Sequence, residues 1–321
     1  MNFRISFFIF VLFFTNSYCQ NYAEVDSIVD RYSKDVKSTD VLATLIKNDF
    51  NKEEDKARAI FRWVTSTISF DVETAELMEY ESLTAFSYTS EVEKKTKEKK
   101  FKSDLITSAL LNKIAVCHGY AVLVEDLCYK VGLKSEIITG NLKSNPSHIG
   151  LLPTILNHAW NVVMIGNQWK FIDATLGAGV ISSNTNKFKA DYNEAYFFTD
   201  PAQFFLNHYP LDEKWLLIPK NKKTYAELPL FLGNYFKYNF KISKEISGIH
   251  SISLNPDFAF TLNGLSEYDD IQYIFINENE RHFFTESDNG IGFKVSLKGH
   301  QDDFLCICVN GKVIAIYKIV A

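Results

Sequence analysis

Apolar positions recur at helical spacing through the first half of the chain and alternate at strand spacing through its last third. Val25, Ile28, Val29, Tyr32 and Val36 share one helical face, which predicts helix across residues 22–48. Asn51-Lys52-Glu53-Glu54 resembles a capping box and introduces Ala57, Ile60, Phe61, Val64 and Ile68, an amphipathic helix running through Trp63. Residues 72–104 are rich in charge and predict a largely exposed insertion. Within them, the basic run Lys94–Lys100 is broken by Glu98, preceded by Glu91 and Glu93, and reads as a solvated loop. The apolar thread resumes at Leu105. Ala121, Val124, Leu127, Cys128 and Val131 then mark a helix that Gly132 ends, and Ile137-Ile138-Thr139 reads as a strand.

Two alternating runs follow, His158–Ile165 and Trp169–Thr175, on either side of Gly166-Asn167, a hairpin turn signal. If those two residues form the loop, Ile165 pairs with Gln168. His158 then lies opposite Thr175, and Asp173 is its diagonal neighbour on the same face. Diagonal residues are roughly 7–8 Å apart, within reach of an imidazole and a carboxylate. A three-residue loop would put them on opposite faces, so the pairing of these two side chains predicts an even-numbered loop. Beyond about residue 228 the pattern changes at Leu228-Pro229-Leu230-Phe231. Short alternating runs take over at Ser251–Leu254, Ile271–Ile276, Phe293–Leu297 and Phe304–Val309, and Asn310-Gly311 turns into Val313–Tyr317. Many short strands punctuated by glycine predict a small β-sandwich.

The candidate chemistry is a Cys, a His and an Asp in that order, each within a patterned segment. Cys117 opens the helix that begins in Val116-Cys117-His118-Gly119-Tyr120-Ala121. There the helix dipole and unpaired backbone N–H groups favour thiolate over thiol, and they stand ready to stabilise an oxyanion. A thiol nucleophile needs a base, and the base needs an acceptor that holds its tautomer. His158 and Asp173 supply these two groups. A lone Cys is by default a small buried hydrophobe, the reading that holds for Cys128, and the motif around Cys117 outweighs that default. His118, the next helical residue, points away from the thiol. Trp63, Trp160 and Trp169 read as core aromatics, with Trp160 placed by the register to cover the His158–Asp173 pair. Asn161 falls on the other strand face and is structural. Tyr120 either lines the site or packs beneath the helix. His148, His208, His250, His282 and His300 lie outside any motif and receive no role.

Residues 5–14 form an apolar run behind Arg4 and ahead of Thr15-Asn16-Ser17. The run is too short to span a bilayer, and its flanks fit a secretory signal at residues 1–19, with cleavage near Cys19-Gln20. The chain is thus expected to be exported, periplasmic or secreted, with no stable membrane insertion after signal removal. A lipoprotein would acylate Cys19, but Asn16-Ser17-Tyr18 is a poor lead-in and that reading is set aside. The 321 residues are 46% hydrophobic and 23% charged, enough for one large core or two modest ones. A net charge of -5 argues against a nucleic-acid partner. Cys306 and Cys308 alternate on one strand face and cannot readily bridge each other. With His300 they lack the two-residue gap of a zinc site, so they read as buried free thiols.

Asp55–Val64, Val116–Ala121, and His158-Ala159-Trp160-Asn161 with Phe171-Ile172-Asp173-Ala174-Thr175 together resemble the bacterial transglutaminase-like superfamily. Tyr196-Phe197-Phe198-Thr199-Asp200-Pro201, followed by Asp212-Glu213-Lys214-Trp215, is similar to its kyphoscoliosis-peptidase-like group. The resemblance covers roughly residues 40–220. It implies an α+β fold, a papain/transglutaminase-like catalytic core with Cys117 as nucleophile, His158 as base and Asp173 as orienter. The family often carries Trp after the Thr that follows the Asp. Here Leu176 stands there, a departure that bears on the shape of the nearby cleft.

The expected organisation is a signal peptide (1–19), a cysteine catalytic domain (20–228) and a small all-β, sandwich-like C-terminal domain (229–321). The expected function is attack of Cys117 on an amide of a protein or peptide substrate, through a thioester. Hydrolysis, by a peptidase or deamidase, is favoured over cross-linking because water is abundant and no amine site is specified. Two alternatives stay open: a catalytically silent binding module that retains the fold, and acyl transfer as in related arylamine acetyltransferases. The chemistry requires no cofactor or metal, and no calcium-ligand loop is recognisable. Nothing in the sequence specifies an oligomeric state.

Overall fold

Gly166 and Asn167 both take positive φ, 52° and 64°. That is the left-handed pair a two-residue hairpin turn demands. Ile165 accordingly pairs with Gln168, and the register runs on through Met164–Trp169, Val163–Lys170 and Val162–Phe171 to Asn161–Ile172. The even-numbered loop is as expected from the sequence, but the ladder stops at Ile172. Asp173 leaves the strand to cap the short helix Ala174–Ala178, its side chain accepting from Leu176 N at 2.9 Å. The expected pairing of His158 with Thr175 therefore does not form, because capping takes the chain out of the sheet. The structure, a computed structural model, describes residues 22–80, 87–182, 184–243, 247–278, 280–284 and 292–321. The expected signal peptide lies outside these residues.

The hairpin is the middle of a five-stranded antiparallel sheet. Its order is Phe197–Thr199, Gln168–Ile172, His158–Ile165, Ser135–Leu142 and His208–Pro210. Alternation gives the sheet two apolar faces. Val163, Ile165 and Ile172 pack with helix residues such as Ile60, Val64, Val124 and Leu127, whereas Ile138, Trp160, Val162 and Phe171 pack on Phe204. Tyr120 lies beneath the helix, its hydroxyl donating to Ile68 O, which resolves its role as structural. Asn161, on the helix-facing side, donates from Nδ2 to Ala121 O at 3.0 Å and ties strand to helix.

Three expectations about helices need correction. Residues 22–48 form two helices, Ala23–Val29 and Thr39–Asp49. Ser38 starts the second by accepting from Asp40 N, a local bond that competes with helix continuation. The first is fastened to helix Glu53–Thr67 by Arg58–Asp26 and Arg62–Asp30 pairs. Second, Asn51 caps nothing. Lys52 is the N-cap without a side-chain bond, and the Glu53 carboxylate instead accepts from Gly166 N in the hairpin turn. Third, the basic run 94–100 is helical rather than a loop, within Glu91–Asn112. Ser90 caps this helix, and Glu93–Lys97 and Lys100–Asp104 pairs at i,i+4 support it. The run is exposed, as its charge requires. Ahead of it, residues Val72–Tyr80 are helical too.

From Leu230 onward two sheets dominate. One is six-stranded, built around Phe304–Val309 and Lys312–Val320. The other has three strands, Lys241–Ile242, Asp257–Asn263 and Gly292–Ser296. Asn310-Gly311 forms the turn between the first pair, again with both residues at positive φ. Phe258 of one sheet meets Tyr317 of the other at 4.7 Å between ring centroids. Ser251–Leu254 departs from expectation: the strand is Ile249–Ser251, and residues 252–254 turn. Cys306 and Cys308 are buried free thiols packed with Ile149, Leu230 and Ile316. No helix among the described residues is long and apolar enough to cross a membrane.

Candidate active site

A short parallel pairing of Ser69–Phe70 with Ile114–Ala115 delivers the chain to Val116, the N-cap of helix Cys117–Lys130. Gly119 permits the approach, since a Cβ there would stand 2.9 Å from Ala115 Cβ. Cys117 is the first residue of the helix, where backbone N–H groups lack intrahelical acceptors and the dipole is positive. His158 opens its strand opposite Gly140. Just ahead of it, Asn157 is held by Oδ1 accepting from Leu142 N and Nδ2 donating to Leu142 O.

His158 and Asp173 meet. His158 Nε2 lies 2.6 Å from Asp173 Oδ2, both side chains buried. With Nε2 so engaged, the other ring nitrogen is left for the Cys117 thiol, whose pKa responds to His158 and to the Ala159 backbone N–H. Burial pushes the Cys117 thiol up, but the hydrogen bond and charge of His158 and the Ala159 amide outweigh it and bring the pKa below its ordinary range. For His158, burial works against the imidazolium. Asp173, through charge and hydrogen bond, overrides it with help from Cys117, and the pKa is raised to about 10. Burial opposes ionisation of Asp173 too, but the charges and hydrogen bonds of His158 and His208 hold it well below the usual carboxylate range. The directions of these shifts favour a thiolate–imidazolium pair backed by a buried carboxylate. Chemically, it can attack an acyl carbon and return a proton to a leaving group.

His208, assigned no role from sequence, belongs to this cluster. Its Nε2 lies 3.0 Å from the same Asp173 Oδ2, and its Nδ1 2.7 Å from Asn207 Oδ1. Burial lowers the His208 pKa despite Asp173. Phe204 stacks on this ring at 3.8 Å, and Trp160 lies edge-on to it at 5.0 Å. Trp160 also stacks on His158, so it covers the cluster as its register implied. The sequence signal for His208 was position alone, between the Tyr196–Pro201 and Asp212–Trp215 segments. His118 is turned onto Phe101, 5.9 Å between ring centroids, and takes no part. His158, Asp173 and His208 place one donor atom each within 4.8 Å of one another, a set that a transition metal could use. Both ring nitrogens are, however, hydrogen-bonded to one shared oxygen, as in a proton-linked cluster.

Residues 41–174, which contain Cys117, His158 and Asp173, match the model of the transglutaminase-like superfamily. The chain is 27% identical over 241 residues to kyphoscoliosis peptidase of Mus musculus, covering 71% of this chain and 33% of that protein. It is 24% identical over 277 residues to hillarin of Drosophila melanogaster, covering 81% and 30%. The chain spans about a third of the length of these curated relatives. A solved structure described as a TGase is 18% identical, with a TM-score of 0.30 over 59% of this chain and 40% of that one. By its family match over residues 41–174, this chain carries a transglutaminase-like domain, and it is similar at 27% identity to kyphoscoliosis peptidase of Mus musculus and of Homo sapiens.

Proposed function

We propose that the protein is a cysteine enzyme acting on amide bonds of proteins or peptides. Cys117 attacks the amide carbon. The helix N-terminus stabilises the oxyanion, and His158 hands a proton to the departing amine as the thioester forms. Water then adds to the thioester with His158 as base, returning the thiol and releasing a carboxylate. Asp173 holds His158 with Nε2–H toward itself and Nδ1 toward sulfur. The observation that carries this reading is the 2.6 Å contact between His158 Nε2 and Asp173 Oδ2, which leaves the other ring nitrogen for Cys117. Export is part of the reading and rests on the apolar run at residues 5–14. So is the division at residue 228 into a catalytic and an all-β part.

The test is alkylation by iodoacetamide across pH, read residue by residue with peptide mass spectrometry, in wild type and His158→Ala. Rapid labelling of Cys117 below pH 7 that disappears without His158 is the expected result. Slow labelling, confined to alkaline pH and indifferent to His158, would overturn the assignment in favour of a silent binding module.

A further inference from the structure

The loop leading into His158 exposes four large apolar side chains in six residues: Leu151, Leu152, Ile155 and Leu156 are 59%, 50%, 64% and 42% exposed. Slack does not explain this. Ile149 is fully buried among Leu230, Cys308 and Ile316, and Gly150 N donates to Ala226 O at 2.9 Å. At the other end Asn157 makes its paired bonds to Leu142, and Asn157 N donates to Gly140 O. Between them Asn141 Nδ2 donates to Ile155 O at 3.0 Å. The backbone is pinned at both ends and near its middle while the apolar side chains face out. Such a patch on a folded surface marks something that binds there.

Its place says what. The loop ends at the residue before His158, whose ring holds Asp173, and the Ala159 amide follows it. At about 3.4 Å per extended residue, Leu156 lies within about 10 Å of that amide and Ile155 within about 14 Å. This is the reach of a substrate's residues on either side of an amide held at the thiol. A sequence-remote residue adds to the same end of the sheet. Leu211, 67% exposed, donates its N–H to Thr139 O, and Thr139 pairs with Ala159 across the strand.

We propose that Leu151, Leu152, Ile155 and Leu156 form a subsite for apolar side chains of a peptide substrate, setting a preference for amides flanked by residues such as leucine. The inference rests on Cys117 being the nucleophile, and the test separates the two. The probes are iodoacetamide, which needs only the thiolate, and two dipeptidyl chloromethyl ketones, one carrying Leu-Leu and one Ser-Ser. In each, the sulfur displaces chloride to form a thioether. Wild type should react with the Leu-Leu reagent about tenfold or more faster than with the Ser-Ser reagent, the discrimination one buried apolar side chain provides. Ile155→Ser/Leu156→Ser and Leu151→Ser/Leu152→Ser should erase most of that ratio and leave the iodoacetamide rate within twofold. Equal rates with the two ketones in wild type, or a ratio that survives in both double variants, would overturn the subsite while leaving the Cys117 assignment standing. So would a surviving ratio accompanied by a change of oligomeric state in gel filtration, or by loss of binding to phosphatidylcholine vesicles. The surface would then belong to a second copy or a membrane. Failure of iodoacetamide to label wild-type Cys117 at neutral pH instead overturns the nucleophile, and the subsite with it.

Discussion

Replacing Asp173 with Asn changes one atom and removes one buried charge. The carboxylate accepts three hydrogen bonds: Leu176 N on Oδ1, and the Nε2 atoms of His158 and His208 on Oδ2. An asparagine has one oxygen. If that oxygen stays on the Leu176 amide, the new NH2 group faces two ring N–H donors. His158 must then move its proton to Nδ1, where it confronts the thiol and cannot accept from it. The charge that holds the His158 pKa above its ordinary range is also gone, leaving burial, which lowers it. The thiol then drifts back toward its ordinary value of 9.0 or above. At pH 6 such a thiol is ionised to about one part in a thousand. Each pKa unit by which the wild-type site lies lower is about tenfold in thiolate and in alkylation rate, so a loss of about tenfold or more is expected. The assay is iodoacetamide labelling of wild type and Asp173→Asn at pH 6, with site resolution. Cys128, Cys306 and Cys308 serve as references in the same digests, because burial raises their pKa values to about 12, 12 and 11. The thermal midpoint is followed alongside, since two displaced buried hydrogen bonds cost about 1–3 kcal/mol each. A folded Asp173→Asn protein that labels Cys117 within threefold of wild type at pH 6 would refute the reasoning.

His208→Phe keeps the ring stacked on Phe204 and removes its bond to Asp173. We expect a stability loss of about 1–3 kcal/mol by denaturant titration, with Cys117 labelling held within about tenfold because Leu176 N and His158 still orient the carboxylate. A folded variant that loses 100-fold would instead place His208 within the reacting chain. Gly140→Ala puts a Cβ 2.3 Å from Tyr209 O and 2.5 Å from Trp160 Cη2, between His158 and the edge strand. Sheet and Trp160 must both shift, so we expect about 3 kcal/mol or more of destabilisation and loss of rapid Cys117 labelling. A variant with wild-type melting and labelling would show that this strand contact does not position the histidine.

The sequence by itself determined the features carried by neighbours a few residues apart. Gly166-Asn167 set the hairpin register because a two-residue loop with both residues at positive φ matches strand twist, and Gly and Asn are residues that adopt it readily. The apolar spacing from Ala121 to Val131 marked the helix that begins at Cys117, and alternation marked the paired strands Phe304–Val309 and Lys312–Val320. These local rules, with one resemblance, placed Cys117, His158 and Asp173 in a single neighbourhood. The tertiary structure decided whatever depended on competition for the same group. Glu53 stands inside an apparent capping box, yet its carboxylate serves the hairpin turn more than a hundred positions away. Asp173 reads as part of a strand running to Thr175, yet Leu176 N draws it into a cap, and the ladder ends at Ile172, three residues early. His208 has no motif. It becomes part of the cluster because the edge strand His208–Pro210 folds beside Gly140, which brings its ring to the one oxygen that His158 also needs. Spacing along a chain encodes which face a side chain occupies. Which of several donors reaches a buried acceptor is settled by the packing of elements distant in sequence, where an unsatisfied polar group costs more than any local preference contributes.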